Sequence, residues 1–204
     1  AFHVAVAVLI VILLLVRKQF GRIFSLIVGL HFLFITFVQT LVVTPKYGLV
    51  IVTEIFVWFL IAGLAWLWEA AVNKTTFAFQ QQPWVRYWVV PMAIFSFWDP
   101  DQPWVLDPGM LLNSTAPIAF CMMTTIYLAA LCLQYPKVNL PMFRVVSFVS
   151  VIVAIVTLGV AVVRGGTDGI YWTLIHLPML ATSLYCFVLS MRSPDTQLAE
   201  SERA

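Results

Sequence analysis

Six long apolar runs, parted by short polar turns, leave this chain little choice of architecture. Inside hydrocarbon no water can satisfy the backbone, so a crossing segment must bond its own N–H and C=O groups, and a helix of about 20 residues does this. The runs cover residues 2–16, 23–43, 49–68, 109–134, 145–163 and 170–191, and a seventh, shorter one covers 87–98 with Pro91 inside it. Hydrophobic residues make up 62% of the 204 and charged residues 10%, against about 45–50% and about 25% in a soluble domain. Residues 1–192 are therefore expected to form one all-α, polytopic membrane helix bundle, followed by a short polar tail at 193–204.

Charge chooses between six spans and seven. If 87–98 crosses, one side receives Arg17, Lys18, Arg22, Lys74, Arg86, Lys137, Arg144, Arg192 and Arg203, and the other only Lys46 and Arg164. Nine against two is a strong positive-inside bias, whereas leaving that run uncrossed gives six against five and no bias. The expectation is seven transmembrane helices, the fourth short and proline-kinked, with the N-terminus outside and the C-terminus cytoplasmic. A cleaved secretory signal is not expected, because the first basic cluster follows the first apolar run instead of preceding it.

Within these runs the ionisable residues stand out, because a carboxylate at membrane depth costs a few kcal/mol and normally needs a partner or a purpose. Glu54 lies in the third run, while the other acids fall almost entirely in loops or the tail. Counting along the helices places Glu54 about 8 Å from the outer end, nearly level with His176 of the last run and with Gln39 and Thr40 of the second. These four form a candidate intramembrane polar cluster. It reads either as an inert inter-helix clamp or as a site that relays protons or holds a cation.

Other candidates carry less. The loop holding Asp99, Asp101 and Asp107 between prolines is either an acidic outer mouth or a stiff turn with Asp107 capping the next helix. His31, near the middle of the second run, is a candidate single-ligand histidine for haem or a pigment. Small residues recur at spacings of three and four along 147–161 and, with His176 at their head, along 176–190, the pattern of a close helix–helix seam or of a hydrated path.

Several classes are excluded or left without support. No lysine follows Lys137, so no retinal Schiff base can form on the last helix, and no HExxH, GxSxG, P-loop or multi-histidine cluster occurs. The net charge of +2 is too small and scattered for nucleic acid. Cys121, Cys132 and Cys186 lie in apolar runs without a CxxC. No metal is assigned; bound lipid is the expected non-protein component, and haem or pigment is not indicated. The partners expected are the bilayer and other membrane subunits. The favoured role is a non-catalytic scaffold or accessory subunit of a membrane complex. The alternatives are a small transporter or channel for protons, cations or a small polar solute through Glu54 and His176, or an intramembrane lipid-modifying enzyme.

Overall fold

The computed structural model describes residues 2–16, 20–77, 83–98 and 109–192. Helices dominate: α1 (Phe2–Val16), α2 (Gly21–Thr40), α3 (Thr53–Val72), α4 (Val89–Trp98), α5 (Met110–Asn113), α6 (Phe120–Cys132), α7 (Leu140–Arg164) and α8 (Gly166–Met191). Short 3-10 turns lie at Trp84–Arg86 and Ala116–Ile118. Four of the helices, α2, α3, α7 and α8, are long and apolar enough to cross a membrane. The acidic loop with Asp99, Asp101 and Asp107 and the tail at 193–204 lie outside the described residues.

Two helical hairpins frame the bundle, α2 with α3 and α7 with α8, and α3 also packs on α7. The α7–α8 pair closes so tightly that a Cβ on Gly169 would stand 2.5 Å from the carbonyl oxygen of Ala161, a distance only glycine avoids. The small-residue stripes face inward, with Ser147, Ser150, Ala154 and Ala161 buried on α7 and Ser183, Cys186 and Ser190 buried on α8. Ser147 and Ser150 donate to the carbonyls of Phe143 and Val146, four residues back. These hydroxyls are thus satisfied within their own helix, as a packed seam requires.

The hub is α6, whose residues 122–129 are all buried. A helix apolar on every side belongs inside a bundle, and α6 packs against α2, α4, α7 and α8. Tyr127 on α6 stands at the centre of an edge-to-face aromatic cluster with Phe24, Phe32 and Trp66, at centroid distances of 6.0, 5.6 and 6.1 Å. Such pairs contribute about 0.5–1.5 kcal/mol each beyond their burial.

Three expectations change. First, the apolar runs at 23–43 and 49–68 do not stay helical up to the turn between them. Residues Leu41–Thr44 and Gly48–Ile51 pair as an antiparallel hairpin, β1 and β2, with Leu41 opposite Ile51 and Thr44 opposite Gly48. The stretch is rich in β-branched residues, which prefer extended backbone. Pro45 disfavours helix at Thr44, and Gly48 takes the left-handed φ of 66° that the turn requires. Glu54 therefore sits in the first turn of α3, not a turn and a half inside it.

Second, Pro91 produces no kink. It is the third residue of α4, where the backbone N–H would have had no helical acceptor in any case. The helix itself has 10 residues, about 15 Å at helical rise, or half of a hydrocarbon core of about 30 Å. It starts beside α8, where Trp88 meets Tyr185 at 5.3 Å, and ends beside α1, where Phe97 meets His3 at 5.2 Å.

Third, α3 runs past the expected end at residue 68 and takes in a second acid. Glu69 lies in the last turn of α3 and is 1% exposed. Its Oε1 accepts the Thr75 N–H at 2.6 Å, and its Oε2 accepts an Nδ2–H of Asn139, also at 2.6 Å. The Asn139 N–H in turn donates to Thr75 Oγ1 at 3.0 Å. Beside this network Arg86 donates to the Tyr135 carbonyl at 3.0 Å, and the Tyr135 hydroxyl donates to the Arg192 carbonyl at 3.3 Å. Burial raises the Tyr135 hydroxyl above the ordinary tyrosine range, against the opposing pull of Arg86 and Arg192, which keeps it protonated as that donor. The end of the bundle away from the β-hairpin is thus tied by side chains from four segments of the chain.

Candidate functional site

At the β-hairpin end a cavity of about 410 Å³ opens between α2, α3, α6, α7 and α8. Gln39, Glu54 and His176, separated by up to 137 positions in sequence, all line it. The helices explain how. α2 ends and α3 begins at this end, which brings Gln39 beside Glu54. α8 runs inward from the same end and delivers His176 after two to three turns. Gln39 and Glu54 are exposed and form the rim, whereas His176 is 4% exposed and lies deep.

Each polar group has a definable hydrogen-bonding state. His176 Nδ1 stands 2.7 Å from the Trp172 carbonyl, four residues back. A carbonyl can only accept, so Nδ1 holds the proton and Nε2 carries the lone pair. Among the described residues that nitrogen has no partner, and neither has the Glu54 carboxylate, which makes no hydrogen bond or ion pair there. Gln39 Oε1 accepts the Phe120 N–H at 2.9 Å, satisfying the first free donor of α6. Gln39 therefore holds α6 in place and still has both amide hydrogens to offer.

Thr40 stands apart. It is buried and donates to the Thr36 carbonyl at 2.6 Å, and it does not line the cavity. His31 is also elsewhere, with Nδ1 2.8 Å from the Tyr127 hydroxyl and Nε2 2.7 Å from the Pro117 carbonyl. Both ring nitrogens are engaged, so neither lone pair faces a haem or pigment in this arrangement. Among the described residues no three His, Cys, Asp or Glu side chains gather as a metal site would need.

Aromatic residues complete the cavity. Trp58 follows Glu54 by one helical turn, and Trp172 precedes His176 by one, so the i,i+4 spacing puts each pair on one face. That spacing is legible in the chain and would have pointed to both tryptophans. The Trp172 and His176 rings lie nearly parallel at 5.2 Å, and the Arg164 guanidinium sits 4.3 Å over the Trp172 ring. On the floor Phe59 stacks on Phe120 at 3.8 Å. The site is thus an apolar, aromatic pocket with two unpaired acceptors and one available donor.

Compared with family models, curated proteins and solved structures, the chain matches none.

Proposed function

We propose that this chain is a multi-pass membrane protein that takes a small cationic or polar solute into the hairpin-end cavity, as the external site of a small transporter or channel. One observation carries this reading. Two buried or rim acceptors, Glu54 and His176 Nε2, converge on a single cavity with no protein partner among the described residues. A helix clamp would satisfy the buried His176, since an unpaired polar group inside a bundle costs free energy that a bond recovers, while Glu54 at the exposed rim faces solvent or a ligand. The unpaired state therefore weighs for a solute site over a purely structural scaffold.

In this reading the chain crosses seven times, with the hairpin end outside and the C-terminus cytoplasmic. The nine-to-two distribution of basic residues supports it. So does the course of α4, which leaves α8 at Trp88 and reaches His3 at Phe97.

Reconstituted in proteoliposomes, the protein should carry proton or cation flux that Glu54→Gln abolishes while the melting temperature stays unchanged. Flux indifferent to Glu54, or no flux together with stoichiometric co-purifying subunits, refutes the transporter reading and restores the scaffold.

A further inference from the structure

From the chemistry lining this cavity we infer that its ligand is a protonated primary or secondary amine carried on an apolar body. The inference rests on the solute-site reading above and names the class of solute. Charge comes first: Glu54 has no cationic partner among the described residues, so a ligand bringing a positive charge is the one the rim attracts. Hydrogen bonding comes second. The His176 side chain is buried, its Nε2 carries a lone pair in the neutral ring, and it borders the same space, so the ligand must bring N–H or O–H donors and not charge alone. An ammonium group brings both the charge that the rim carboxylate attracts and the N–H donors that the imidazole lacks.

The walls argue against a bare inorganic ion. Hard cations take about six to eight oxygen ligands, and this cavity offers them one unengaged carboxylate, since Gln39, Thr115, Thr157 and Tyr171, whose side-chain oxygens also line it, already have partners. Most of its lining is apolar, including Ile55, Phe59, Met122, Val153 and Ile175. Its volume of about 410 Å³ falls within the range of about 300–1,000 Å³ common for small organic ligands. An apolar body fills that space and gains from the burial, which an ion cannot.

A quaternary ammonium fits less well. Such ligands have no N–H to offer the His176 Nε2 lone pair, and of the two tryptophans on the cavity wall Trp172 is already engaged by Arg164 and His176, which leaves Trp58 alone where an aromatic cage needs several open faces. Among the described residues Arg164 is the cation that touches the pocket wall. It is exposed and lies over Trp172, where solvent screens its repulsion.

The test is calorimetric titration of the purified full chain in lipid nanodiscs with 2-phenylethylammonium, its N-trimethylated analogue and the neutral 2-phenylethanol. The ammonium should bind at least about tenfold more tightly than either comparator, the size of one charge-assisted hydrogen bond. Glu54→Gln should erase the advantage over the alcohol. His176→Phe should erase the advantage over the trimethylated analogue. Glu54 is exposed and unpartnered, so its variant keeps the fold, which an unchanged melting temperature verifies. Equal binding of alcohol and ammonium overturns the inference, as does a preference that survives Glu54→Gln or equal binding of the trimethylated analogue. If no amine binds but Glu54-dependent flux of an inorganic cation persists in proteoliposomes, the ligand class is wrong and the solute-site reading stands. If both are absent, both fall.

Discussion

Replacing Glu69 by leucine removes one acceptor from two buried donors. The Thr75 N–H and the Asn139 Nδ2–H both point at this carboxylate at 2.6 Å. A buried donor left without an acceptor costs about 1–3 kcal/mol, so the pair brackets the loss at about 2–6 kcal/mol. For a chain of this size each kcal/mol lowers the melting temperature by about 2–4 °C, which places the variant at least about 4 °C below the parent. Cys132 and Cys186 are buried free thiols, so heating in mild detergent with a thiol-reactive fluorogenic maleimide reports unfolding directly.

Glu69→Gln is the informative control. Its Oε1 keeps the Thr75 bond, but its amide would face the Asn139 amide, donor against donor. Asn139 Oδ1 is buried without a partner, so a half-turn of the Asn139 amide presents that oxygen to the new donor. The glutamine variant should then lose less than half of what the leucine variant loses. A leucine variant melting within about 4 °C of the parent, or a glutamine variant melting as low as leucine, would refute the view that this carboxylate holds the far end of the bundle.

Two further substitutions test the packing. Gly169→Ala places a methyl group against the Ala161 carbonyl and forces α7 and α8 apart, at about 1–3 kcal/mol of overpacking. Gly159→Ala, with nothing within 4 Å of its would-be Cβ, should be neutral or stabilising by up to about 1 kcal/mol in the same melting assay. Gln39→Leu strips the acceptor from the Phe120 N–H and should lower stability by about 1–3 kcal/mol; Gln39→Glu, which keeps an acceptor there, should retain most of it.

Hydropathy read the helices well and the turn between α2 and α3 poorly, for one physical reason. An apolar, β-branched stretch such as 41–52 scores like a membrane helix, since hydropathy sums side chains and is blind to backbone preference. Pro45 and Gly48 were the local signals that the chain reverses there. The misplacement cost little at the site, because the end of α2 and the start of α3 meet at the hairpin wherever the boundary falls. Counting along helices brought Gln39, Glu54 and His176 to one cavity, though not to one level, since Glu54 lies on the rim and His176 deep. It could not separate Thr40 from them, since one residue along a helix turns the side chain by about 100° and Thr40 faces inward to its own backbone. Nor could it find the partnership of Glu69 with Asn139, which joins residues 70 positions apart. Pattern within one helix says nothing about such a contact.

The two carboxylates of α3 show how surroundings divide a residue type between structure and binding. Glu54 and Glu69 are 15 residues apart, about 22 Å along the helix. At the far end the chain folds over Glu69 and supplies two donors, because loops there bring the Thr75 backbone and Asn139 within reach. At the hairpin end a cavity opens between α2, α3, α6, α7 and α8, and the other two polar groups of the site are otherwise engaged: Gln39 Oε1 with α6, His176 Nδ1 with its own helix. Those local bonds fix the Gln39 amide and the His176 ring in position, while the Glu54 carboxylate stays open at the rim. A cavity whose polar atoms are held but not satisfied is pre-organised for a ligand that brings the missing donors, and the rigidity that makes this possible is supplied by the closed end.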